Sequence, residues 1–146
     1  MRAINWQHDR RQLFLPVSVM PSASADNPSH AIIVKALIDT GATKTGLRAD
    51  LVRKLGLAKR DIAPIQTANG TLITDLHLAR LGLWTCDVGE DVFHLSSSTM
   101  PYILDREFLV QALRPDFSHE MLLGMDLVGL CEFQIRSDGT AKLTLP

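Results

Sequence analysis

Along the chain, apolar positions come in short runs divided by turn-forming residues, a texture that predicts β-structure more than helix. Residues 13–20 (LFLPVSVM) read as a strand. Pro16 inside that run has no amide to donate to a ladder, which predicts an edge position or a bulge. Residues 21–29 combine two prolines with Ser, Asp and Asn and read as a loop. Residues 31–38 (AIIVKALI) form a β-branched run that fits a buried strand, and the run stops at Asp39-Thr40-Gly41, where a turn is expected.

The best helical pattern spans residues 47–55, where Leu47, Leu51, Val52 and Leu55 make one apolar stripe. Gly56 follows as a stop, and Arg53 and Lys54 sit where the helix dipole favours cations. Asn69-Gly70, between strand-like runs, is the strongest short hairpin signal, because both residues tolerate positive φ. Alternation over residues 71–80 suits a long strand without settling which face is buried. Residues 84–116 are the least legible, and 102–113 can be helical, with Ile103, Phe108 and Leu109 sharing a face. Residues 121–124 read as a short strand ending in glycine and 125–130 as a helical turn. A last hairpin turns at Ser137-Asp138-Gly139.

The chain has 146 residues, one domain's worth, expected to run 1–146 with an N-terminal strand and loop over 1–30. Hydrophobic residues at 46% and charged residues at 21% place it with soluble globular proteins. Fifteen basic against sixteen acidic residues give a net charge of -1, which removes the usual electrostatic case for nucleic acid or an anionic membrane as partner. No apolar run approaches the roughly 18 residues that span a bilayer. Arg2, His8, Asp9, Arg10 and Arg11 interrupt any leader-peptide core, so the expected location is cytoplasmic. Cys86 and Cys131 read as two reduced thiols, and the five scattered histidines offer no ligand spacing; no metal and no cofactor are expected.

The segment that carries chemistry is residues 36–43, where a carboxylate leaves an apolar strand at a tight turn, followed directly by a hydroxyl and a glycine. Asp39 is expected to be partly desolvated there, held by turn amides and neighbouring hydroxyls. As a bare tripeptide, Asp-Thr-Gly is also an ordinary polar turn. Four features in order resemble the retropepsin-like aspartic proteases: Leu37-Ile38-Asp39-Thr40-Gly41-Ala42, the helix ending at Leu55-Gly56-Leu57, the hairpin Thr67-Ala68-Asn69-Gly70-Thr71, and Leu122-Leu123-Gly124.

The resemblance implies an all-β-dominated fold, a closed β-barrel or sandwich with one or two short helices. It implies an aspartic endopeptidase acting on extended polypeptide. Two carboxyls sharing one proton activate a water and polarise the scissile carbonyl, as like charges about 3 Å apart cannot both ionise. With one Asp-Thr-Gly per chain, the dyad needs a homodimer, Asp39 coming from each copy. By the same resemblance Thr40 locks the two Asp loops together, Gly41 lets the backbone approach the substrate, and Ala42 supports the active site. Leu123 and Gly124 support the loop from beneath, and Ala68, Asn69 and Gly70 form a flap over the peptide. Apolar residues flanking the cut bond and an acid-shifted pH optimum are the accompanying expectations.

The pattern departs from the viral members in two ways. Gly124 lies 85 positions after Asp39, which predicts an extra helix or loop inserted over about 84–117. Thr43 and Met125 stand where viral enzymes pair an acid with an arginine, as in cellular and bacterial branches. Asp126 is read as a structural residue at a helix start rather than a second catalytic carboxylate. Residues 41–45 lack the glycine a phosphate loop needs before its lysine, and Ser96-Ser97-Ser98-Thr99 lacks a nucleophile elbow. His77 and His94 read as surface or satisfied core residues, and Trp6 and Trp84 as core. Two alternatives stay open: a non-catalytic peptide-binding or dimerisation module on the same fold, and a monomeric ligand-binding β-barrel.

Overall fold

The structure is a computed structural model and describes residues 2–22, 30–95 and 100–146. Eleven strands and two short helices follow one another as β1 (Ala3–Gln7), β2 (Phe14–Met20), β3 (Ile32–Ile38), β4 (Gly46–Arg48), α1 (Ala49–Leu55), β5 (Lys59–Thr67), β6 (Gly70–Leu83), β7 (Tyr102–Ile103), β8 (Phe108–Leu113), β9 (Met121–Leu123), α2 (Met125–Val128), β10 (Glu132–Ile135) and β11 (Thr140–Thr144). The larger sheet has the order β2-β3-β9-β4-β8-β6-β5, and β2 pairs again with β6, so the sheet returns on itself. A small sheet, β1-β11-β10, joins the first strand to the last hairpin. The predicted all-β-dominated architecture with two short helices is the one observed.

Ring closure explains β2. From Leu15 onward every residue of it is buried, since both flanks are covered, by β3 along its length and by β6 from Val17 to Met20. Pro16 sits just outside the stretch paired with β6, so its missing amide leaves no hole in that ladder. The fourteen-residue β6 changes partners along its length, with β5 against residues up to His77, β8 from Leu76 to Ala79 and β2 from Arg80. Its buried positions change parity on the way, Thr74 and Leu76 first and Ala79, Leu81 and Leu83 later, which is why alternation alone could not name the face.

Inside the ring lie Leu15, Val17, Ala36, Leu47, Leu81, Val110 and Leu123, all fully buried. Each such leucine contributes roughly 2 kcal/mol through removal from water. Helix α1 ends as predicted: Gly56 adopts φ +62°, and the Gly56 and Leu57 amides bond the Arg53 and Val52 carbonyls.

Three expectations are corrected. Residues 102–113 are not helical. The charged Asp105, Arg106 and Glu107 separate β7 from β8, and β8 pairs with both β4 and β6, a tertiary pairing that overrides the local pattern. Outside β7 and β8, the described residues of 84–117 form neither a helix nor a further strand, only loop and turn. The segment 31–38 is buried on one face only, with Val34 and Ala36 inside and Ile33 58% exposed. The helix expected over 47–55 starts at Ala49, because Gly46–Arg48 forms β4, clasped between β8 and β9. Strand β1 had no sequence signal strong enough to mark it. Residues 23–29 and 96–99, the expected loop and the serine run, lie outside the described residues. No helix among the described residues is long and apolar enough to cross a membrane.

Candidate active site

The site is built where β3 ends. Leu37 and Ile38 pair in parallel with Leu122 and Leu123, and the Asp39 amide donates to the Leu123 carbonyl at 2.9 Å. The chain then turns: the Ala42 amide bonds the Asp39 carbonyl at 3.1 Å, and the Gly41 amide donates to Asp39 Oδ1 at 3.0 Å. The half-buried Asp39 carboxylate is thereby oriented by its own turn. Among the described residues no hydroxyl donates to it, contrary to the expectation from the neighbouring threonines. A Cβ at Gly41 would stand 3.2 Å from Asp39 Oδ1, so glycine keeps this approach open. Thr40 and Gly41 are exposed, and Ala42 is half-buried.

Beneath the turn, the segment 42–45 is laced to the start of α2. The Met125 and Asp126 amides donate to the Ala42 and Thr43 carbonyls at 2.8 and 3.2 Å. In return the Asp126 carboxylate accepts the Thr45 amide at 3.0 Å and the Thr45 hydroxyl at 2.7 Å. Thr45 Oγ1 also accepts the Gly124 amide at 3.2 Å. The crossing is so close that a Cβ on Gly124 would meet the Lys44 carbonyl carbon at 2.5 Å. Asp126 is therefore committed to structure, as its position at a helix start suggests. Thr45 is fully buried and central to this lacing, and sequence reasoning missed it. Its one signal is a threonine directly before a strand glycine, which is common.

Asp39, Gly41, Ala42, Leu123 and Gly124 thus come together, and Thr40 lies exposed on the same turn. Ala68, Asn69 and Gly70 do not join them: they form the exposed tip of the β5–β6 hairpin. No hydrogen bond among the described residues links that tip to the Asp39 turn. Gly70 takes φ +113°, Thr67 Oγ1 donates to the Gly70 carbonyl at 2.8 Å and the Asn69 amide donates to Thr67 Oγ1 at 3.2 Å.

A cavity of about 830 Å³ opens beside Asp39, walled by Leu37 and Ile38, by the turn after β1 and by residues 135–137. The remaining chemistry-bearing groups lie elsewhere. Burial pushes the Cys86 thiol up, helped by the negative charges of Glu90, Asp87 and Asp91, and burial alone does so for Cys131, so neither is a ready nucleophile. His94 is exposed, and Trp6 and Trp84 are buried as expected. His77 departs from the expectation of a satisfied core residue, since its buried Nδ1 has no partner. No three His, Cys, Asp or Glu side chains among the described residues gather as a metal ion would need.

A family model described as "gag-polyprotein putative aspartyl protease" matches residues 30–129. No curated protein sequence matches the chain. Among solved structures, a retropepsin-like aspartic protease from Rickettsia conorii superposes with a TM-score of 0.59 at 18% identity, over 98% of this chain and 90% of that one, which shows a shared fold. The matched span contains the Asp39 turn, the hairpin and the strand that supports Asp39, and on that match the chain belongs to the retropepsin-like aspartyl protease family.

Proposed function

We propose that this chain is one half of an aspartic endopeptidase, completed when two copies bring their Asp39 turns together across a two-fold axis. The observation that carries the reading is the seating of Asp39. An oriented carboxylate stands at a strand end, over a closely hydrogen-bonded bed, and beside a cavity of about 830 Å³. Each chain has one such carboxylate, so a second copy is the natural source of the other.

In the dimer the two carboxyls hold one proton between them and titrate as a pair. The ionised one takes a proton from water as its oxygen adds to the peptide carbonyl, and the protonated one gives its proton to the carbonyl oxygen. The tetrahedral diol then collapses. Its C–N bond breaks, the amine leaves with the proton held by one carboxyl, a diol hydroxyl gives its proton to the other carboxylate as it becomes the product carbonyl, and the one-proton resting state returns. Thr40, exposed at the turn, is suited to bridge to the partner's turn, and Gly41 leaves room for the substrate backbone. The Ala68-Asn69-Gly70 tip is suited to close over an extended peptide and exclude water.

The test is cleavage of a diverse peptide mixture between about pH 4 and 7, read by mass spectrometry, with wild type and Asp39→Asn compared at a concentration where mass shows a dimer. Cuts made by wild type, and reduced at least about a thousandfold in Asp39→Asn, are expected. Equal cutting by the variant would sink the mechanism. No cutting by a confirmed dimer would favour the alternative, a peptide-binding module on the same fold.

A further inference from the structure

The geometry points to selection of polypeptide with an acidic side chain next to the bond to be cut, made by a wall of arginines that lines the same cavity as Asp39; this rests on the peptidase reading above. The cavity beside Asp39 is lined by the apolar Leu37 and Ile38 and by Arg10, Arg11 and Arg136. Asp39 is the one carboxylate among its lining residues, against three guanidinium groups. An apolar flanking residue, the ordinary expectation for the family, would leave those groups facing a guest with nothing to accept their hydrogen bonds.

The arginines are not already spent. None takes part in the three ion pairs among the described residues. Arg10 Nη2 donates to the Ser137 carbonyl at 3.2 Å and Arg136 Nη2 to Gln134 Oε1 at 3.1 Å, so each retains donors from its set of five. The nearest acids, Asp9 and Asp138, feel the charge of Arg11 and Arg136 respectively but form no ion pair with them, their oxygens being hydrogen-bonded chiefly to nearby amides and a hydroxyl. Asp9 accepts the Arg11 and Gln12 amides, which hold its carboxyl below the usual range, and Asp138 accepts the amide and hydroxyl of Thr140. Both acids line a neighbouring cavity of about 640 Å³ that shares Gln12 and Arg136 with this one but does not contain Asp39.

The wall is also held in place. Arg10 has φ +66°, the one non-glycine residue with positive φ among those described, a conformation that persists only where its surroundings enforce it. The enforcement is visible. The Arg10 amide donates to His8 Nδ1 at 3.1 Å, which leaves the His8 proton on Nε2 to donate to the Arg136 carbonyl at 2.9 Å. The His8 amide bonds the Gly139 carbonyl at 2.8 Å. One turn is thus pinned to the other, and the guanidinium groups are presented from both. Guanidinium matches carboxylate bidentately, but a single exposed pair is weak, so the preference must come from the group of three. In a two-fold dimer each copy supplies one such cavity, which puts the preference on both sides of the cut bond.

The test uses a pair of labelled extended peptides that differ only by Glu or Gln on the two sides of the central bond. Binding to the full chain carrying Asp39→Asn is read by fluorescence anisotropy, and cleavage of the same pair by wild type is read separately. The Glu peptide is expected to bind about tenfold tighter at low salt, with the margin narrowing as salt screens the wall. Adding Arg10→Gly, Arg11→Gln and Arg136→Gln should remove the margin, and glycine at position 10 keeps the left-handed turn. Failure of the Glu peptide to bind, equal binding of the two, or a margin that survives the triple substitution overturns the inference. Selective binding without cleavage by wild type upholds it while sinking the peptidase reading; cleavage without charge preference does the reverse.

Discussion

The bed under Asp39 and the β5–β6 arm are built by opposite means. In the bed, backbone crosses backbone with no room for a methyl group, and Thr45 and Leu123 are wholly buried. In the arm, a two-stranded ribbon extends with Ile62, Leu72 and Ile73 at 55%, 49% and 68% exposure, though a free ribbon would be expected to hide them. The bed holds the turn that carries the carboxylate through a close set of backbone and Thr45–Asp126 hydrogen bonds. The arm leaves apolar side chains unspent, as suits an element that acts only when something lies beneath it.

The strongest way to break this contrast is a methyl group placed in each part. Gly124→Ala drives a Cβ into the Lys44 backbone and should cost about 3 kcal/mol, read from denaturant midpoints. Gly70→Ala meets open space and suffers only from φ +113°, about 1 kcal/mol. Equal losses at the two positions would erase the distinction. Asp126→Ala comes next, at about 2 kcal/mol, because it strips the acceptor from a buried threonine. Combined with Thr45→Val, the loss should fall well short of the sum of the two single losses, as for two groups in one network. In the arm, Leu72→Ser with Ile73→Ser should leave stability within about 0.5 kcal/mol while weakening peptide binding. Lost stability there would mean that the arm, too, is packed in the free chain.

The smallest effect belongs to His77, where the arm enters the ring. Burial holds its imidazole below the ordinary value of 6.5, opposed by Asp75 and assisted by Lys59. The unfolded chain then takes up this proton more readily than the folded one. Stability is therefore undiminished by His77 above pH 6.5 and declines as the pH falls below it. His77→Phe should flatten that decline in thermal melts taken at successive pH values. A decline unchanged by the substitution would assign it to other groups.

What could be read in advance follows the range of the interactions involved. The Asn69-Gly70 hairpin and the Gly56 helix end depend on the φ preferences of single residues, and both were legible. Asp39 was legible because an acid directly after an apolar strand is a local contradiction. Strands β4 and β8 were not, since Leu47 and Val110 take their identity from neighbours far along the chain, and each sits in a pattern that a helix would serve equally well. Thr45 was hidden for the same reason: nothing near it in sequence announces Asp126. The arginine wall was invisible because its members come from two turns that only the β1–β11 pairing brings together.

The lacing of Thr45 to Asp126 joins residues 81 positions apart. Contacts of that reach form late, since a long loop must close before they yield any return. As the chain leaves a ribosome, Asp39 emerges early and waits without a seat until β9 and α2 have followed. The seat of the carboxylate is thus completed only once β9 and α2 have been made, an order set by topology.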